Sequence, residues 1–500
     1  MGDWHTGVHL GNKTASKSFI KTQTGGRGST GERGAPEACR ERGIGEEAMK
    51  QAQSVAVIGG GLAGCEAAWQ LLKRGRRVIL YEMKPHVFSP AHKSPQLAEL
   101  VCSNSLRSNA LENAVGLLKE EMRRLGSLIM EAADLNSVPA GSALAVDRSK
   151  FSCYIEDRLF SQENLEVIRE EVRYLPQNIP VIIATGPLTS PALAQDISLL
   201  TKSEHLYFYD AISPIIEGES INCDRVFRAS RYEDGPGDYL NCPMDKDDYE
   251  RFRQALMEGR CVPLNSFEEP KCFEGCLPIE VLSSRGLNTL AFGPMKPVGL
   301  INPKTGKQPY AVVQLRQENL SASLFNMVGF QTKLSWPEQK RIFRSIPGLE
   351  EAEFFRYGSV HRNTFINSPA LLKKTLQLRT DDHIFFAGQI TGVEGYVESA
   401  AAGLIAGLGV HCMLSGRDMS PPPETTAHGA LLSYIAGNSH RAFQPMNVNF
   451  GIFPPLASKI PKKERGRYYA ERALADLKDW LAESGLSHDL AARLNLNAGE

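Results

Sequence analysis

Hydrophobic positions along the chain fall into distinct regimes. From Ser54, "SVAVIGG" is a short apolar run that reads as a buried strand. "AGCEAAWQLLKRG" follows with helical spacing closed by Gly75, and "RRVILYE" reads as a second strand. "AVGLLKEEMRRLGSLIM" places Leu118, Met122, Leu125 and Ile129 on one helical face with charge opposite, which predicts a core-facing stripe. "IPVIIATGP" is a further buried strand entering a Gly-Pro turn. Between about 201 and 355 the pattern changes. Strand-like "YAVVQL", "SLFNMVGF" and "NTLAFGPM" are separated by Gly, Pro and Asn turns, which predicts an inserted antiparallel sheet. "HIFFAGQITGVEGYVESAAAGLIAGLGVHCML" then returns to strand, glycine loop and long apolar helix. The punctuated "SPPPE" marks a boundary, and a helix is expected near "AERALADLKDWLAE".

Residues 1–53 differ from all of this. They are rich in Gly, Arg and Glu and nearly free of large apolar side chains, so they are expected to be a disordered leader, with Met49 a candidate start. An RNA-touching basic arm is the functional alternative, weakened by the acids that offset its arginines. Five hundred residues exceed what one core usually organises. The composition, 42% hydrophobic and 23% charged, is that of an ordinary globular protein. A net charge of −1 means that a polyanionic partner would have to meet a local patch. No continuous run of about 18 apolar residues and no signal segment stand out, so no membrane is expected and the cytoplasm is the expected location. Ten cysteines without a regular framework are expected to be reduced.

The first strand runs straight into Gly59, Gly60, Gly61, Leu62, Ala63 and Gly64, a G-x-G-x-x-G loop opening a helix. The helix start offers amide hydrogens to a pyrophosphate, and Glu82 ends the second strand where an acid accepts ribose hydroxyls. Strand, loop, helix, strand and terminal acid together point to a dinucleotide. FAD is favoured by the late "FFAGQITGVEGY", which returns a strand and glycine loop carrying Gly388 and Gln389. No second such unit is visible for a separate nicotinamide domain. The expected fold is α/β, a Rossmann-like FAD-binding domain (parallel sheet with helices) with an inserted, smaller α+β domain. Its parts are 54–200 and 356–450, with the insertion at 201–355 and a basic, helical segment at 451–500.

Cys272 and Cys276, four apart in "PKCFEGCLPIE", leave disulfide, metal, nucleophile and packing open on spacing alone. Zinc is disfavoured because no histidine lies within about twenty residues, and no metal is expected. Longer stretches narrow the choice: "AELVCSNSLRSNAL", "VGLLKEEMRRLGSLIM", "FEGCLPIEVLSSRG", "FGPMKPVGL", "HRNTFINSP", "AGQITGVEGYVESAA" and "FQPMNVNFG", in this order. Through them the chain, from about Ser54 to Leu456, resembles the folate- and FAD-dependent tRNA (uracil-5-)-methyltransferase family. It departs from the family in its leader, and Cys272 is outside the shared motif.

The resemblance implies methylation of carbon 5 of uridine 54 in the tRNA T loop. The carbon would come from 5,10-methylenetetrahydrofolate and the hydride from FAD reduced by NADH or NADPH. Carbon 5 of uracil is a poor nucleophile until a thiolate adds to carbon 6, and a base must later remove the carbon-5 proton. By resemblance Cys276 is the nucleophile and Cys102 the base or partner, the two roles being exchangeable, with Arg107 expected to favour a Cys102 thiolate. His361 and Tyr396 are implied to stack near flavin and pterin, and Arg362, Asn363 and Lys296 to supply polar contacts. Cys65 and Cys412 read as small buried hydrophobes, and Cys153, Cys223, Cys242 and Cys261 take the same default. For tRNA, "SKIPKKERGRYYAER" offers Lys459, Lys462, Lys463, Arg465, Arg467 and Arg472 beside Tyr468 and Tyr469; a solvated helix face is the plain alternative. No stable protein partner is expected. Competing functions are a flavoprotein acting on the wobble uridine, a flavin thiol-disulfide oxidoreductase, and a non-catalytic RNA-binding flavoprotein.

Overall fold

The computed structural model describes residues 54–203, 205–231, 237–263, 277–437 and 443–486. Its centre is a five-stranded sheet in the order Ile384–Phe386, Val181–Ile183, Ser54–Ile58, Arg77–Tyr81, Leu165–Ile168, every neighbouring pair parallel. Valine and isoleucine dominate the inner strands because both faces of a parallel sheet are covered. On one face lies the nucleotide helix, Leu62–Leu72, every residue of it buried. It is sandwiched between the sheet and the central helix, Tyr396–Leu414. The two helices cross closely because glycine stands at the crossing: a Cβ on Gly403 would sit 2.1 Å from the Ala63 carbonyl oxygen. The central helix is long and apolar enough to cross a membrane by length and composition, but it is packed inside the protein core.

Two readings of the pattern need correction. The stretch containing Leu118, Met122, Leu125 and Ile129 forms two helices, Ala114–Arg124 and Leu128–Leu135. All four residues are buried as expected, but the backbone turns at Gly126 (φ +67) and restarts at Ser127, whose side chain accepts from the Met130 amide. The buried Glu66 carboxylate secures the restart, accepting from the Ser127 hydroxyl at 2.6 Å and the Ile129 amide at 3.0 Å. "NTLAFGPM", read as strand-like, contains instead the short helix Thr289–Phe292. Alternation in so short an apolar run does not separate the two states.

The second sheet has six strands in the order Phe227–Arg228, Tyr239–Met244, Ala311–Gln317, Leu324–Met327, Ile215–Glu217, Phe354–Arg356, all antiparallel. It has its own core, including Tyr249, Phe252, Phe330 and Phe343. A two-stranded ribbon, Leu206–Ile212 with Ser359–Phe365, carries the chain out of the parallel-sheet half and back. Its register sets His361 opposite Asp210 and Asn363 opposite Phe208. The helix Arg465–Glu483 returns Ala470, Ala473, Leu477 and Trp480 to the first core.

Candidate functional site

The glycine loop is shaped by close approaches. Gly59 has φ +106, and a Cβ there would stand 2.5 Å from the Ala184 carbonyl oxygen, a conformation and a space that only glycine fits. Glu82 ties the loop to the second strand: its Oε2 accepts from the Gly60 amide at 2.8 Å and its Oε1 from the Lys84 amide at 2.9 Å. Gly64 packs the helix onto the loop, since a Cβ there would lie 1.8 Å from the Gly59 oxygen. Gly61 is different: a Cβ there would meet nothing within 4 Å. It faces a cavity of about 1130 Å³, open mouth included, lined also by Gly59, Leu62, Ala63, Glu82, Gly388 and Gln389.

A second cavity, about 1380 Å³ on the same measure, adjoins the first. Val101, Pro187, Leu188, Gln389 and Tyr396 line both, so the two form one cleft. Cys102, Asp210, Arg316, His361, Asn363 and Glu394 line the second part. The Tyr396 oxygen accepts from the Cys102 amide at 2.7 Å and the Ser103 amide at 3.2 Å, and stands 2.9 Å from Cys102 Sγ. With two amide hydrogens accepted, the phenol's own hydrogen is directed at the sulfur. Burial pushes the Cys102 thiol up to about 11, with Asp210 acting the same way; the Tyr396 hydrogen bond and Arg148 oppose them. Burial and the neighbouring Cys102 also raise the Tyr396 phenol well above its ordinary range. Glu394, bound by the Gln389 side chain at 2.6 Å, is held well above the usual carboxylate range by burial and then Asp210.

A family model described as "Glucose inhibited division protein A" matches residues 54–418. A methylenetetrahydrofolate–tRNA-(uracil-5-)-methyltransferase TrmFO of Syntrophus aciditrophicus (strain SB) is 63% identical over 441 residues, 88% of this chain and 100% of that protein. The protein of that name from Geobacter sulfurreducens is 59% identical over 430 residues, 86% of this chain and 99% of its own. The chain belongs to the TrmFO family. Among solved structures, Aquifex aeolicus GidA in its form I crystal has a TM-score of 0.64 at 18% identity, over 87% of this chain and 76% of that one. That likeness extends to the fold.

Within this TrmFO-family chain the structure gathers most of the residues that the sequence singles out. Gly60 and Gly64 stand behind the cavity wall, the first holding Glu82 and the second packing the helix. Arg362 is not brought in. Strand alternation turns it away from His361 and Asn363, and its guanidinium lies over the Tyr207 ring at 4.2 Å. Cys272 and Cys276 lie outside the described residues; the described chain resumes at Leu277, and the Ile279 amide bonds to the carbonyl of Gln331, a cleft residue. Arg107 lines the cleft but spends its charge on the fully buried Glu398. Arg148 is the cation that favours a Cys102 thiolate. Lys296 is not among the residues lining either part of the cleft.

The seven described cysteines are all free. Cys65, Cys242 and Cys412 are buried, whereas Cys153, Cys223 and Cys261 are exposed, against the default. In the basic segment, Arg472 donates to the carbonyls of Pro454 and Pro455, and Tyr469 stacks on Phe450 with centroids 4.8 Å apart, so both are structural. Lys459, Lys462, Lys463, Arg465 and Arg467 are exposed. Sequence reasoning missed Asp210, Arg148, Arg316 and Glu394. Arg316 had a signal, a lone charge inside the apolar run "AVVQLRQ"; it donates to Asn104 Oδ1 at 2.9 Å and to the Ser103 hydroxyl at 2.7 Å, shaping the Cys102 loop.

Proposed function

We propose that this chain methylates carbon 5 of uridine 54 in the tRNA T loop, taking the carbon from 5,10-methylenetetrahydrofolate, with FAD as its redox cofactor and NADH or NADPH as reductant, in the cytoplasm. The names of its relatives supply the reaction class. The observation that carries it to this cleft is the Cys102–Tyr396 pair, set where a nucleotide cavity opens into a second, polar one. The first cavity fits FAD: Gly61 leaves open the space that a side chain would fill, and Glu82 already accepts from the loop. Gly59–Gly61, the start of the nucleotide helix, Glu82, Gly388 and Gln389 would hold it. When bound, FAD supplies the hydride that converts an exocyclic methylene to methyl.

The remaining work belongs to the chain's own groups. The Cys276 thiolate adds to carbon 6 of uracil, and the displaced electron pair makes carbon 5 an enolate nucleophile toward the folate methylene. Once that carbon–carbon bond has formed, carbon 5 still carries its proton. Cys102, as thiolate, accepts it, helped by the Tyr396 hydroxyl and by Arg148, while the methylene–nitrogen bond breaks and tetrahydrofolate leaves an exocyclic methylene behind. Once that methylene has been reduced, the electron pair returned to carbon 5 expels Cys276 from carbon 6 as thiolate. His361 and Asn363 border the space for pterin and base. Purified protein with an unmodified tRNA transcript, labelled methylenetetrahydrofolate and NADPH tests this. The expected result is label in 5-methyluridine, lost when uridine 54 is replaced. No transfer from folate at normal flavin content, or transfer from S-adenosylmethionine, would overturn it.

A further inference from the structure

Beside the cleft, three aromatic rings form a ladder. Phe354 and Tyr357 are stacked at 5.0 Å between centroids and 17° between planes, and Tyr357 and Trp336 at 5.6 Å and 15°. The inner end is anchored in the second core, where Phe354 meets the fully buried Phe343 at 6.4 Å. The outer end is open: Trp336 is 62% exposed, although Trp69 and Trp480 are buried. The ladder is held rigid by Gln339. Its buried side-chain amide donates to the carbonyls of Leu334 at 2.7 Å and Gly358 at 2.9 Å and accepts from the Gly358 amide at 2.8 Å. This locks the helix carrying Trp336 to the strand connection carrying Tyr357.

The surroundings select the partner. Lys333, Lys340, Arg341 and Arg344 stand in this segment with one acid among them, Glu338. Lys340 and Arg344 also reach Glu353, at 3.8 and 2.6 Å, and Arg260 comes alongside. Arg341 and Arg260 approach the largely covered Glu338 at 2.5 and 3.7 Å while their own side chains stay 55% and 82% exposed, which leaves further guanidinium donors for a phosphate. Tyr357 is four residues from the cleft residue His361, so the two are no more than about 14 Å apart. Flat, exposed rings bordered by cations bind unpaired bases of single-stranded RNA, the ring taking the base and the cations the backbone.

We propose that Trp336, backed by Tyr357 and Phe354, is a stacking platform for an unpaired tRNA base neighbouring the target uridine. This rests on the tRNA reading given above. The test uses full-length protein and unmodified tRNA transcript, with Trp336→Ala, Trp336→Phe and Arg341→Ala. Trp336→Ala is expected to weaken tRNA binding about 5- to 100-fold with the salt dependence of affinity unchanged, and Trp336→Phe to retain part of the loss. Arg341→Ala is expected to reduce the salt slope instead. In a Trp4→Phe background, bound tRNA should protect tryptophan fluorescence from acrylamide, and the protection should vanish when Trp336→Phe is added. If Trp336 merely covers Tyr357, Trp336→Ala lowers the melting temperature and leaves tRNA affinity and protection as in wild type, which overturns the platform. Absence of folate-dependent methylation by the wild type would instead overturn the functional reading, and the binding and quenching measurements do not depend on that activity.

Discussion

Tyr396 accepts the backbone amides of Cys102 and Ser103 and stands 2.9 Å from Cys102 Sγ, which makes the phenol a donor to that sulfur. A thiol held near 11 is protonated at neutral pH, and a donated O–H stabilises its anion, so Tyr396→Phe must raise it further. The alkylation rate of the Cys102 peptide, followed by mass spectrometry against pH, is expected to have its inflection moved upward by about one unit or more. Methyl transfer in the wild type should rise between pH 7 and 9, and Tyr396→Phe should be about tenfold slower at pH 8. A profile unmoved by the substitution would remove Tyr396 from the ionisation of Cys102.

Arg107 and Arg148 should separate cleanly. Arg107 is paired with Glu398, whose carboxylate also accepts from the Val448 amide at 2.9 Å. Arg107→Met strands a fully buried carboxylate and is expected to cost about 3 kcal/mol or more in denaturant unfolding, with the Cys102 alkylation profile unchanged. Arg148 pairs with Glu318, so the informative variant is the double Arg148→Met, Glu318→Met, which removes both charges together. Its Cys102 inflection should move to higher pH, because the opposing cation is gone. The reverse pattern would restore Arg107 as the thiolate's partner.

The glycine loop gives a similar contrast. A methyl on Gly61 enters the cavity, whereas a methyl on Gly64 collides with the backbone 1.8 Å away. Gly61→Ala is therefore expected to fold with a near-normal apoprotein melting temperature and to purify with little FAD. Gly64→Ala should lose both, because helix and loop must separate. Equal flavin content in wild type and Gly61→Ala would show that the loop does not cradle the pyrophosphate.

The parts of this protein legible in its sequence are those where one residue type at one spacing has one physical meaning. The strand–glycine loop–helix unit and the acid of Glu82 are of this kind, as is the alternation of turns and strands that announces the second sheet. Three things were hidden. The break at Gly126 depends on Glu66, 60 residues earlier, reaching the new helix start. The electrostatics of Cys102 depend on Asp210 and Arg148, brought close by the ribbon and by the packing of separate elements. Arg362 looked equal to its neighbours until strand alternation assigned it to the opposite face. In the first two cases the deciding interaction joins residues far apart in the chain, which local pattern does not encode. In the third the alternation was local, and what was missing was that this stretch is a strand paired with Leu206–Ile212.

In the basic segment Lys459, Lys462, Lys463 and Arg467 are exposed, and among the described residues Glu464 and Glu471 pair with Arg467, at 3.9 and 3.6 Å. Exposed charges of this kind contribute little to stability, so replacing all four by glutamine should leave the melting temperature and flavin content near those of the wild type. If they meet the tRNA backbone, removing each phosphate-binding cation should flatten the slope of log affinity against log salt by about 0.7–0.9. Removing all four would then reduce the slope by roughly 3 and weaken binding most at low salt. Arg472→Gln offers the control in the other direction. That guanidinium is committed to the Pro454 and Pro455 carbonyls, so its loss should lower stability and leave the slope in place. A quadruple variant with wild-type affinity at every salt concentration would make this segment a solvated face and shift the tRNA-binding surface elsewhere on the protein.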